Sequence, residues 1–207
     1  MKALIVVDVQ SDFCPGGSLA VTDGDQIVKG INELVESDEY GCVVFTKDWH
    51  PKDHGSFASA HGAELFTMGE LNGSPQMMWP DHCVQNTEGA EFHKDLVIPD
   101  WAKIIEKGLD KKVDSYSAFY DNDHKSSTGL AEYLREMEVE EVAVVGLALD
   151  YCAKFTAEDS LNEGFKTDIL WDLTKAVNAS EENINEIRLS LLLLSSAHKY
   201  LGHNEKE

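Results

Sequence analysis

Positive charge is scarce in this chain: 17 lysines and arginines face 38 aspartates and glutamates across 207 residues, a formal net charge of −21 at pH 7. Such a field repels phosphate backbones and anionic lipid surfaces, so neither nucleic acid nor a membrane is expected as a partner. The acidity reads as a solubility feature, because excess carboxylates keep a globule dispersed. Long apolar runs are also missing, and none approaches the ~18 uninterrupted residues of a membrane span. The first residues lack the apolar stretch and small-residue cleavage site of a signal peptide, so they read as a strand and a cytoplasmic location is expected. Cysteine is sparse: Cys14, Cys42, Cys83 and Cys152 are too few for a disulfide scaffold at this length. In a reducing compartment they are free thiols, metal ligands or nucleophiles.

What is present is a globular composition, 43% hydrophobic and 27% charged. The length suits a single domain over 1–207, which hides roughly 70% of its unfolded surface. Short β-branched runs predict strands at 2–7, 41–46, 103–106, 141–147 and 166–171. Helical spacing lies between them. Ile27, Val28, Ile31, Leu34 and Val35 form a stripe after a capping Asp25, and Leu130, Leu134 and Met137 another after Thr128. Ala153, Ala157 and Leu161 line a helix that starts near Cys152 and stops at Gly164. Ser180 opens a last helix with Glu181 and Glu182 in its first turn, and the tail 203–207 is expected to fray. This alternation predicts an α/β fold: a three-layer, Rossmann-like, doubly wound, mostly parallel sheet of about six strands flanked by helices. The segment from about 48 to 100 breaks the alternation and reads as a functional insertion.

Three runs end on residues that do chemistry: Asp8, Asp48 and Cys152. In open α/β sheets, ligands bind beyond the carboxyl ends of the strands, so these groups are expected at one edge. Asp48 and His50 at a strand end, with His82, suit zinc, iron or manganese and leave coordination positions open. His54, His61 and Cys83 are further ligand candidates. Cys152 sits where a strand turns into a helix, and a thiol there feels the positive dipole end, which favours thiolate. The competing reading is a buried structural cysteine. Cys42 lies inside a strand and is core; Cys14 and Cys83 stay open. Asp8 either caps a turn or takes the thiol proton, and Lys107 is either a surface charge or a stabiliser of both. Spacing alone does not separate these readings.

The segments Asp8-Val-Gln-Ser-Asp-Phe13, Asp48-Trp-His50-Pro-Lys-Asp-His54, Trp79-Pro-Asp-His82-Cys, Lys107-Gly, Asp114-Ser-Tyr116-Ser-Ala-Phe119 and Gly146-Leu-Ala148-Leu-Asp-Tyr-Cys152 occur in order along nearly the whole chain. Together they resemble the nicotinamidase (pyrazinamidase-type) branch of the isochorismatase-like cysteine hydrolase superfamily. The resemblance implies hydrolysis of nicotinamide to nicotinate and ammonia through a cysteine thioester, as in NAD salvage. The alternative is a superfamily amidohydrolase acting on a carbamoyl or ureido substrate. Residue by residue, it implies Cys152 as nucleophile, Asp8 as base and Lys107 as third triad member, with an oxyanion hole from the N–H groups of Ala148 and Cys152. Asp48, His50 and His82 would hold one divalent metal, zinc ahead of iron or manganese, on the substrate's ring nitrogen, with His54 second-tier. Phe13, Trp79 and Tyr116 would wall the ring, and the Leu147–Ala148 peptide would be cis. One departure, Asp172–Asn178, is expected to lie away from the triad. Whether the chain forms a homo-oligomer stays open.

Overall fold

The apolar runs become strands because β-branched side chains pack well on pleated surfaces. A computed structural model describes residues 1–204, with side chains through Ala197. In chain order it contains β1 (Lys2–Val7), α1 (Val28–Val35), β2 (Cys42–Asp48), β3 (Met68–Leu71), β4 (Ser74–Met77), β5 (Lys103–Lys107), α2 (Leu130–Glu136), β6 (Glu141–Leu147), α3 (Lys154–Asn162), β7 (Lys166–Lys175) and α4 (Glu181–Asn204).

Five strands form the central sheet in the order β5-β2-β1-β6-β7, all neighbours parallel. β1 and β2 are buried on both faces, which is why their sequences run continuously apolar instead of alternating. The strand count expected from sequence was about six; β3 and β4 form a separate antiparallel hairpin inside segment 48–100. Asn72 and Gly73 close that hairpin with φ of 51° and 85°, the left-handed pair a two-residue turn requires. Its strands, Met-Gly-Glu-Leu and Ser-Pro-Gln-Met, are short and mostly exposed, so no apolar period marked them.

α1 covers one face of the sheet, where Ile27, Ile31 and Val35 meet Leu4, Val43 and Phe45. α2, α3 and α4 cover the other, where Leu130, Leu134, Ala157 and Ile187 meet Ile5, Val44 and Val144. These two cores make the three layers. Ile31 is fully buried, and Ile31→Ala would cost about 2–5 kcal/mol.

Four local expectations change. Asp25 lies inside a 3₁₀ turn, Gly24–Ile27, and caps nothing with its side chain. Cys152 belongs to a wide turn, Leu149–Ala153, closed by Ala153 N–H on the Ala148 carbonyl at 3.1 Å, and α3 begins after it. β7 continues to Lys175 because a register shift between Val144 and Gly146 pairs Thr174 and Lys175 with Gly146 and Leu147. Gly129, not Thr128, is the N-cap of α2, although Thr128 Oγ1 accepts Leu130 N–H at 3.2 Å from one residue earlier; Ser180 caps as expected, its Oγ accepting Asn183 N–H at 3.3 Å. Gly164, just past α3, has φ 91°. Of the expected frayed tail, 205–207 lies outside the described residues. Among the described residues no helix is long and apolar enough to cross a membrane. The strand order reverses between β1 and β6, and the carboxyl ends of β1, β2, β5 and β6 emerge around that point.

Candidate active site

Asp8 leaves β1 with φ 47°, a left-handed conformation that aspartate tolerates better than most side chains. This turns its fully buried carboxylate under the strand ends. Gly146 lets β6 lie close against the end of β1: φ there is 112°, and a Cβ would stand 2.1 Å from the Val7 carbonyl oxygen. Thr46 donates its hydroxyl to Asp8 Oδ1 at 2.6 Å. Lys107, the last residue of β5, pairs across the ladder with Asp48 and is itself buried. Its ammonium lies 2.9 Å from Asp8 Oδ2, donates to Asp48 Oδ1 and to the Ser115 carbonyl at 2.8 Å, and stands 3.4 Å from Cys152 Sγ. The reading of Lys107 as a solvated surface charge is therefore excluded.

Burial opposes a charge on Lys107, but Asp48 and Asp8 outweigh it and hold the ammonium well above the usual lysine range. Burial raises Asp8 above the usual carboxylate range, against the pull of Lys107 and with the push of Asp48. Burial likewise drives the Cys152 thiol well above its usual range; Lys107 opposes the shift, and Asp8 and Asp48 add to it. This burial works against the thiolate that a helix dipole favours, so a base must take the thiol proton. Asp8 Oδ2 has no directed hydrogen bond although Lys107 is near, so it remains open to receive that proton. Ligand atoms of Asp8, Asp48 and Cys152 all lie within 4.8 Å of one another.

Asp48, His50 and His82 also converge, with ligand atoms within 4.8 Å of one another and all three side chains buried. His50 Nε2 and His82 Nε2 lie 3.6 and 3.9 Å from Asp48 Oδ2. Each ring's Nδ1 faces a backbone carbonyl, Gly108 at 2.9 Å and Pro80 at 2.8 Å. A carbonyl only accepts, so each Nδ1 carries a hydrogen and, in the neutral ring, each Nε2 presents a lone pair to a cation; burial opposes a charge on His50, but Asp48 outweighs it and raises the ring above its usual range. His50 Nε2 is buried without a partner, and such an orphaned acceptor beside a carboxylate fits a divalent metal. Burial favours a neutral Asp48, but Lys107 with His50 and His82 holds its carboxyl far below the usual range. Burial and the neighbouring His50 lower His82, as suits a neutral ligand.

His54 stacks near His50, ring centres 4.2 Å apart. Burial and His50 push it down to about 4. Its Nδ1 meets the Ser56 N–H at 3.2 Å and the Ser56 hydroxyl at 2.7 Å, its Nε2 is buried without a partner, and with His50 and Asp114 it makes a second group of ligand atoms within 4.8 Å of one another. His61 bonds the Gly55 carbonyl and, like Cys83, joins no metal-type cluster among the described residues. Cys14 is core, with burial pushing its thiol to about 11.

Above Cys152 lies a pocket lined by Phe13, Trp79, Tyr116 and Ala148 together with Asp48 and His82. The ring-wall residues expected from sequence all reach it. Trp79 donates its indole N–H to the Tyr116 hydroxyl at 3.2 Å and packs edge-on against Tyr151. The Leu147–Ala148 peptide is cis. Sequence reading missed Tyr151, Asp114 and Val177 as pocket residues. Val177 corrects the expectation that segment 172–178 lies away from the triad: it shares the pocket with Cys152. Gln10 was missed too. Its buried amide accepts Asp48 N–H and donates to the Asp48 carbonyl, both at 2.8 Å, clamping the end of β2. Only its place in the Asp8–Phe13 segment hinted at this.

A family model described as the isochorismatase domain matches residues 2–192. The nicotinamidase of Escherichia coli K12 is 47% identical over 184 residues, covering 88% of this chain and 86% of that protein. The structure of the yeast nicotinamidase bound to the inhibitor nicotinaldehyde superposes with a TM-score of 0.89 at 35% identity, covering 96% of this chain and 97% of that one. The pyrazinamidase of Pyrococcus horikoshii in complex with zinc gives 0.77 at 35% identity, covering 94% and 96%.

Proposed function

Because the chain belongs to the isochorismatase family, we propose that it is an amide hydrolase that converts nicotinamide and water to nicotinate and ammonia, as in NAD salvage. The observation that carries this reading is the single buried ammonium of Lys107, in contact with Asp8, Asp48 and the Cys152 sulfur at once. A nucleophile, its base and a metal-type site thereby share one pocket floor. The E. coli and yeast relatives support the substrate.

Cys152 is the nucleophile. Asp8 takes its proton as the sulfur adds to the carboxamide carbon, and Lys107 holds the new charges. The backbone N–H groups of Ala148 and Cys152 receive the developing oxyanion; one such donor is typically worth ~3–4 kcal/mol. The carbon–nitrogen bond then breaks, ammonia leaves with the proton from Asp8, and a thioester remains. Asp8, ionised again, deprotonates a water that attacks the thioester; nicotinate departs and the sulfur regains a proton. Phe13, Trp79 and Tyr116 fix the ring plane throughout, which keeps the carboxamide near the sulfur.

Asp48, His50 and His82 would hold one divalent metal, whose chemistry is to accept the ring nitrogen and withdraw electron density. Zinc is our assignment, supported by the zinc-bound archaeal relative. The same proposal treats 1–207 as one hydrolase domain, with about 48–100 as its metal- and substrate-binding insertion, since Asp48, His50, Trp79 and His82 all fall there. It also places the protein in the cytoplasm, in keeping with four unpaired cysteines.

The test is to incubate purified protein with nicotinamide or benzamide, assay ammonia, and quantify metals in the same sample. Turnover of nicotinamide and poor binding of benzamide, which lacks the ring nitrogen, are expected. No ammonia above blank would overturn the activity; equal efficiency on both amides would remove the metal from recognition.

A further inference from the structure

The turn that carries Cys152 also holds the rim of its own pocket. Asp150 accepts the backbone N–H of Val177 on Oδ1 at 2.9 Å and that of Asn178 on Oδ2 at 2.8 Å. A carboxylate that takes two successive N–H groups fixes both the position and the direction of the segment offering them. Asn183, in the first turn of α4, ties the same segment by donating its amide to the Asn178 carbonyl at 2.7 Å. The sheet ladder gives no such hold, because β7 pairing ends at Lys175. Val177 is 45% exposed yet lines the pocket with Cys152 and Tyr151. A side chain half in solvent and half in the cavity stands at the mouth.

We propose that Asp150 is a positioning residue that pins Val177 as a fixed lip over Cys152, and that this lip limits which ring-substituted amides the pocket admits. The substrate half of this inference rests on the amide-hydrolase reading; the lip itself does not. A short contact chain then runs from the nucleophile's own turn to the residue that screens what reaches it. Loss of the Asp150 carboxylate frees two backbone N–H groups and the Asn183 amide, which also reaches Oδ2 at 3.5 Å; water satisfies them, so the fold persists while the lip moves.

The experiment measures alkylation of Cys152 in the full chain by iodoacetamide and by the bulkier N-phenylmaleimide, resolved by peptide mass mapping. Asp150→Ala and Val177→Ala are each expected to raise the maleimide-to-iodoacetamide rate ratio about tenfold. Because one residue acts through the other, the double variant should equal Asp150→Ala rather than multiply the two effects. Val177→Phe should lower the ratio. In ammonia assays, Asp150→Ala should raise KM for nicotinamide with kcat little changed, gain on 5-methylnicotinamide, and be largely rescued in Asp150→Asn, which keeps one acceptor oxygen. Unchanged alkylation ratios in both Val177 variants would overturn the lip, as would multiplicative effects in the double variant. A fall in kcat at constant KM would show that Asp150 serves the nucleophile's turn and would overturn its positioning role. If wild-type protein released no ammonia, the amidase reading would fall while the alkylation ratios still decided the lip.

Discussion

Lys107 and Asp48 form one buried ion pair that joins two chemistries. The ammonium reaches Asp48 Oδ1 and the Cys152 sulfur from one side, while Asp48 Oδ2 faces His50 and His82 on the other. Removing the lysine leaves Asp8 and Asp48 as neighbouring carboxylates with no cation between them. Lys107→Met should lower the unfolding free energy of metal-free protein by about 3–5 kcal/mol, the usual consequence of stranding a buried charge. Added zinc should recover part of that loss. Urea unfolding with and without metal checks this, and a loss below about 1 kcal/mol would mean that the pair is not electrostatically required.

Gly108 governs the metal site through its shape. Its carbonyl accepts His50 Nδ1–H, its φ is 66°, and a Cβ there would stand 2.3 Å from His50 Cε1. Gly108→Ala must displace the His50 ring or the backbone. The expected result is a 10- to 100-fold weaker affinity for zinc, about the penalty of disturbing a ligand's supporting shell. Chelator competition measures it directly, and unchanged affinity would refute the steric argument.

The thiol and the metal should fail in different ways. Cys152→Ala should abolish turnover yet still bind nicotinamide, because the ring walls and metal ligands are untouched. Chelation should raise KM more than it lowers kcat, since orientation of the ring is lost before chemistry is. Calorimetric titration of Cys152→Ala, beside steady-state kinetics of chelated wild type, separates the two. The reverse pattern would make the metal the source of the nucleophile.

The acid limb of kcat/KM should report Asp8. Burial, with Asp48 adding, raises its carboxyl above the ordinary 3.8. The base must be ionised to take the thiol proton, so activity falls as pH drops through that raised value. The limb should therefore lie above the ordinary aspartate value and vanish in Asp8→Asn, which should be inactive throughout. A limb at or below 3.8 would separate the pH dependence from Asp8.

Away from the site, Glu163 links α2 to the end of α3, accepting Tyr120 O–H and Arg135 Nη2–H, both at 2.6 Å. The tyrosine bond, then Arg135, lower its carboxyl below the ordinary 4.5. A depressed folded-state value means the stabilisation is complete above the unfolded-state range and is lost as pH falls through the folded value. Glu163→Gln should therefore cost about 0.5–1 kcal/mol near pH 7, and the difference should close in strong acid. A gap that widens on acidification would contradict the linkage.

Much of the architecture was legible because it is encoded locally. Apolar runs at 2–7 and 141–147 marked strands buried on both faces, and the i, i+4, i+7 stripe at Ile27–Leu34 marked a helix that covers them. β1 runs into Asp8, β2 ends on Asp48 and the turn after β6 carries Cys152, so the sheet edge holding the site followed from topology. The β3–β4 hairpin was not legible, because its strands are four residues each with no apolar alternation and only the Asn72-Gly73 turn carried a signal. Asp25 misled as a cap because a 3₁₀ turn competes with the helix start.

The order of residue types along the chain thus determined the strands, the helices and the edge at which carboxylates, imidazoles and thiol gather. Only the tertiary structure decided what surrounds each group there: a sulfur whose burial works against ionisation, a lysine shared between two carboxylates, a His54 ring packed on His50, and a valine that lines the pocket. The reason is range. Helical and strand periods are properties of neighbours, whereas the ammonium that sets these charges sits 59 residues from Asp48 and 45 from Cys152. Its field acts through distances that do not exist until the chain has folded.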